Sequence, residues 1–156
     1  MVVLCVFAGC LLVSAQFPQN PPQQQGQNQI IPFPKVEQEE LFLQAIEALE
    51  AKNTDAMVRL MDRAVATDVT NHFAYIKRAQ LFDLIGNNDR AARDYTTALG
   101  FVGLDAHYAD VFQMRGCANF KLGYLRDAVS DWVNFIRLKP DKEAKHWQIC
   151  VAYALL

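Results

Sequence analysis

His146 and Cys150 stand four apart, the spacing that puts two metal ligands on one face of a helix. No second pair with ligand spacing accompanies them, so a metal site is not expected. Nucleophilic catalysis has equally little to work with. After residue 15 the chain holds one serine, Ser130, and it falls inside a helical pattern rather than on a sharp turn beside a histidine. His72 and His107 lie near expected helix starts and read as solvated or capping residues. Cys117 and Cys150 could join as a disulfide in an oxidising compartment, although two buried small thiols are the simpler account. There is no glycine-rich phosphate loop and no carboxylate pair set for acid–base work. The residues therefore predict a protein that is not an enzyme and uses no cofactor.

The distribution of charge explains what the chain is built for. It has 156 residues, 15 of them basic and 17 acidic, for a net charge of -2, and every charged residue follows Pro34. Such a balance leaves no footprint for nucleic acid. Residues 1–15, MVVLCVFAGCLLVSA, are uncharged and apolar but too short to span a bilayer, and they end on small residues. This is the shape of a signal peptide, with cleavage expected after Ala15 and no membrane span once it is removed. Phe7-Ala8-Gly9-Cys10 offers a weaker alternative, a lipid-modified Cys10. Residues 16–34 hold seven Gln and five of the six prolines and read as a disordered linker. Its end, Ile30-Ile31-Pro32-Phe33, is apolar enough to dock on a folded domain. Residues 35–156 carry the fold, and the expected location is secreted, periplasmic or in the cell envelope.

Within 35–156 the apolar spacing is helical throughout. Helices are expected around Leu41–Leu49, Met57–Val65, Tyr75–Phe82, Ala91–Leu99, from Asp105 or Ala109 to Gly123, and Tyr124–Leu138, with a seventh from Asp141 onward. The pattern repeats. Ala64 and Ala98 are 34 apart, while Tyr75, Arg78, Phe82, Gly86, Ala91 and Tyr95 match Phe112, Arg115, Phe120, Gly123, Ala128 and Trp132. That second offset is 37 for most of these pairs, with the three extra residues assigned to a loop at Gly100–Gly103. Arg78/Asp94 and Arg115/Asp131 are each sixteen apart and occupy equivalent places, where the first repeat has Gln44 and Leu60. Losing both charges together is what an ion pair within the scaffold predicts.

These residues resemble the tetratricopeptide repeat family, whose unit is a pair of antiparallel helices. The resemblance rests on an early aromatic (Tyr75, Phe112), a small residue where the helices cross (Ala79, Gly116) and Gly at the turn (Gly86, Gly123). It continues with a small residue and then an aromatic in the second helix (Ala91 and Tyr95, Ala128 and Trp132). The first repeat departs from the pattern at Lys52, Met57 and Met61, and the third has Phe135 where Ala is usual. The resemblance implies an all-α fold of antiparallel helix-pair repeats stacked as a short right-handed solenoid. Repeats are expected at about 38–71, 72–108 and 109–142, with a terminal helix at 143–156.

The resemblance further implies a scaffold that binds a peptide or helix of a partner protein in a groove lined by the first helices. Candidate binding residues are Phe42, Ile46, Phe73, Ile76, Lys77, Gln80, Gln113, Phe120 and Trp147. The cationic clamp for acidic tails is missing, since Phe42, Ile46, Lys77, Asp110 and Met114 fill those places, so a hydrophobic ligand is expected. The last helix is apolar nearly all round, which suggests self-association, or an accessory domain truncated from a larger enzyme or envelope assembly factor.

Overall fold

The computed structural model describes residues 36–140. The expected signal peptide, linker and terminal helix, with His146, Trp147 and Cys150, lie outside the described residues. Six α-helices follow one another: α1 (Val36–Glu50), α2 (Thr54–Thr67), α3 (His72–Leu84), α4 (Asn88–Val102), α5 (Ala109–Lys121) and α6 (Leu125–Leu138). A short 3-10 turn, Ala106–Tyr108, precedes α5. The helices pair as α1 with α2, α3 with α4 and α5 with α6, and α4 packs on α5. No strand occurs among the described residues.

Each pair is closed by the same turn. At the ends of α1, α3 and α5 the residues Lys52, Gly86 and Gly123 take φ values of 58°, 76° and 83°. Their N–H groups bond to Leu49, Asp83 and Phe120, and the next N–H reaches back to Ala48, Phe82 and Asn119 at 2.8 to 2.9 Å. This left-handed stop satisfies carbonyls that the helix end would otherwise strand. Lys52 thus adopts the glycine conformation without being glycine. Asn53 and Asn87 then cap α2 and α4 through their side chains, accepting from Ala56 and Arg90.

The pairs are held by a small residue facing a large one. Ala45 and Met61, and Ala79 and Tyr95, are fully buried within their respective cores. In the third pair the large residue is Trp132, and its small counterpart is Gly116, where a Cβ would come within 2.6 Å of the indole. Met57, at the small position of the first repeat, and Phe135, in place of Ala in the third, are also buried. The extra length between the second and third repeats falls later than expected. Gly100, Phe101 and Val102 continue α4, and Gly103 ends it, so the inserted residues make a longer helix and the 3-10 turn.

Polar contacts join one pair to the next. Gln38, buried at the start of α1, donates to the carbonyl of Ala64 and accepts from the buried Asn71, which caps α3. At the equivalent place one repeat on, His72 Nε2 meets the hydroxyl of Tyr108 at 2.8 Å with the rings edge to face. His72 is therefore buried rather than solvated or capping as its position near a helix start implied, and His107 is the exposed histidine among the described residues.

Two measurements check this account. Lys52→Gly should raise stability by about 0.5–1 kcal/mol in urea unfolding, because it removes the left-handed penalty of a side chain. No change would mean that the backbone at Lys52 relaxes elsewhere. Burial of His72 lowers its imidazole below the ordinary 6.5, so the folded chain holds it neutral. Its contribution to stability is complete above 6.5 and is lost as pH falls below that value toward its folded pKa. His72→Gln, which installs the residue found at Gln38, should flatten the fall of Tm between pH 7.5 and 5.5. A parallel fall in both proteins would exclude His72 as the source.

Candidate functional site

The first helices of the first two pairs, α1 and α3, share an open apolar pocket of about 280 Å³. Phe42, Ile46 and Leu49 line it from α1, Lys77, Gln80, Leu81 and Leu84 from α3, with Met61 of α2 beneath. The spacing explains the assembly, since 42, 46 and 49 and also 77, 80, 81 and 84 fall on single helix faces. Most core leucines and phenylalanines here are covered, yet Ile46 is 44% and Leu84 73% exposed. Two large apolar side chains at the mouth of one pocket are what a ligand-facing surface requires.

Above the pocket, the ring of Phe73 stands edge-on to Phe42, centroids 6.5 Å apart, and the ammonium of Lys77 lies 5.0 Å over it. Gln80 directs its amide toward the Met114 sulfur of α5 at 3.7 Å, linking this pocket to the next first helix. Further along α3, one oxygen of Asp83 accepts from Tyr95 and the other faces Lys121 of α5 at 4.0 Å. Burial, and then the Asp83 charge, push the Tyr95 phenol far up, so it stays a donor. Burial likewise pushes the half-buried Cys117 thiol up, which makes it a poor nucleophile.

The structure thus gathers Phe42, Ile46, Lys77 and Gln80 at one pocket, with Phe73 at its edge. It separates the others. Ile76 packs in the core cluster with Val111 and Phe112 and does not line the pocket. Phe120 packs on Trp132 at 5.7 Å, and Gln113 lies on α5 outside the pocket lining. Leu49 joins those at the pocket, and three further residues, Met61, Leu81 and Leu84, complete it. Leu84 was accessible to reasoning as the position four after Gln80, but whether the last residue of a helix faces solvent or a groove depends on where its neighbour lies.

The Arg–Asp pairs form as expected and do more. Arg78 grips Asp94 through two bonds of 2.7 and 2.8 Å and reaches back to Asp62 of the preceding pair at 2.7 Å. Arg115 does the same with Asp131, at 2.9 and 2.6 Å, and reaches back to Thr96. The fork on Asp94, opposed by burial, pushes the Arg78 guanidinium above its ordinary value. With Asp94 and Asp131 buried, these are scaffold, not chemistry. Among the described residues no group of three His, Cys, Asp or Glu side chains could hold a metal ion, and no helix is long and apolar enough to cross a membrane.

This architecture is that of tetratricopeptide repeat domains: helix pairs stacked side by side, with a groove-facing surface on the first helices. Solved structures agree. The first such domain of Spaghetti (RPAP3), bound to the HSP90 peptide SRMEEVD, superposes with a TM-score of 0.65 at 17% identity, over 76% of this chain and 92% of that one. The second domain of human RPAP3, in complex with the HSP70 peptide SGPTIEEVD, gives 0.61 at 20% identity, over 76% and 93%. The Arabidopsis OM64 domain gives 0.58 at 20% identity, over 76% and 92%. No family model matches the sequence.

Arg78→Met should cost about 3 kcal/mol by stranding the buried Asp94, whereas Arg78→Met with Asp94→Leu, the apolar outcome already present at Leu60, should cost much less. Additive losses in urea titrations would show that the two residues are not coupled.

Proposed function

We propose that this chain is a non-enzymatic protein-interaction scaffold that binds an apolar peptide or helix of a partner on the α1–α3 surface. The observation that carries this reading is the open pocket at Ile46 and Leu84, where exposed apolar side chains of two helices meet at one apolar cavity. Burying such a surface against a ligand returns roughly 25 cal/mol per Å² of apolar area, and an anchor residue in a pocket is the usual centre of a peptide interface. Two of the similar solved structures are of domains bound to peptides, which supports the same use of the fold here. The scaffold is further read as exported, its first 15 residues serving as the signal and residues 16–34 as a spacer before the repeats.

A peptide array scored with the purified chain checks the groove. Peptides with bulky apolar residues should be retained, and Ile46→Asp or Leu84→Asp should reduce retention at least tenfold while leaving the circular dichroism and Tm unchanged. Both positions are exposed, so folding survives the change. Equal retention by the variants would remove the groove from consideration.

A further inference from the structure

The charges around the pocket define its ligand more narrowly than apolar character does. Among the described residues, Lys77 is the only charged one in the pocket lining. Of the carboxylates farther along α3 and α5, Asp110 is paired with Lys139 at 2.7 Å, while Asp83 takes the Tyr95 hydroxyl on one oxygen and has Lys121 no nearer than 4.0 Å to the other. Lys77 has no carboxylate partner among the described residues. Its recorded contact is the face of Phe73, and an ammonium held over a ring keeps its three donors available to an incoming acceptor. A desolvating ligand would strand that charge unless it brought an anion of its own.

We infer that the pocket recognises a partner segment carrying one bulky apolar side chain and, close beside it, one carboxylate from an internal Asp or Glu that meets Lys77. This rests on the groove reading above and narrows it. The dimensions are consistent. About 280 Å³ exceeds the 150 Å³ of a cavity that admits benzene, so an aromatic or branched aliphatic anchor fits. Lys77 is one helical turn from Gln80 and Leu81 at the pocket wall, about 5–6 Å. An extended ligand places side chains on one face about 6.8 Å apart at residues i and i+2, which seats the anchor in the pocket and the carboxylate at the ammonium. The surface also continues past Lys77 onto Met114 of α5 through the Gln80 contact, so a ligand chain can run on beyond the ammonium. That favours an internal segment over a free carboxyl terminus. A ligand dense in carboxylates is disfavoured, because Lys77 can answer one.

The test uses the full chain and blocked seven-residue peptides on a Gly/Ser frame, followed through the methyl signals of Ile46 and Leu84. The probes carry Phe with Glu two residues on, Phe with Gln there, Phe with Lys there, three Glu without an aromatic, and Phe with a free carboxyl terminus. Phe/Glu should bind about 3- to 10-fold more tightly than Phe/Lys, with Phe/Gln between, as a single partly exposed charge contact allows. Lys77→Gln should abolish the ranking among the three Phe peptides, and 0.5 M salt should narrow it. Equal affinity for the three Phe peptides, or a ranking that survives Lys77→Gln, overturns the inference and leaves the groove reading standing. Tighter binding of the three-Glu or free-carboxylate peptide also overturns it. Methyl signals that respond to no Phe peptide overturn the groove reading itself, and the inference with it.

Discussion

Two helices of a pair can lie close only where a side chain is small enough to let the opposite helix in, and every other feature of this chain is arranged around that contact. Gly116 yields the space that the Trp132 indole fills, and Ala45 and Ala79 share fully buried clusters with Met61 and Tyr95. The trade is visible in volume: as the large partner grows from Met to Tyr to Trp, the small one shrinks at the last step from Ala to Gly. Interiors packed to crystal-like density leave no slack for an extra methyl group, so the pair position is settled to a fraction of an ångström. The left-handed turns at Lys52, Gly86 and Gly123 then return the chain at the angle this contact requires.

Once each pair is rigid, the pairs must be registered against one another, and the polar groups do this. Arg78 and Arg115 hold an aspartate of their own pair and reach back to Asp62 or Thr96 of the pair before. Gln38 with Asn71 and His72 with Tyr108 make a second line of contacts at the helix starts. Directional bonds specify one stacking arrangement where apolar burial alone would tolerate several. The pocket is a product of that stacking. It exists because α1 and α3 are held side by side with Ile46 and Leu84 at its mouth, and because Met61 and Leu81 close its floor.

The all-helical repeat architecture was legible from residue spacing, because a helix shows its buried stripe at every turn and the small, aromatic and glycine positions recur. So were the Arg–Asp pairs, whose joint absence from the first repeat at Gln44 and Leu60 was itself informative. The helix-start contacts were not. Gln38, Asn71, His72 and Tyr108 are unlike residues at offsets of 33 and 36, so nothing in a one-dimensional pattern relates them. The pocket lining was half legible. Phe42, Ile46, Lys77 and Gln80 come together at one pocket, while Ile76 packs in the core, since a shift of one position on a helix is 100° of rotation and Lys77 took the open side.

By itself, then, the sequence determined which stretches are helical, where the chain reverses, which residues cross within a pair and which charges must travel together, for all of these are set within one repeat by local sterics and by the cost of a stranded charge. Tertiary structure alone decided the rest. Which face of α3 looks into a groove, which apolar residues stay uncovered, and that Lys77 is left the one charge beside an apolar pocket all depend on contacts between α1, α2 and α3, and those follow from stacking separate pairs rather than from the periodicity of any one helix.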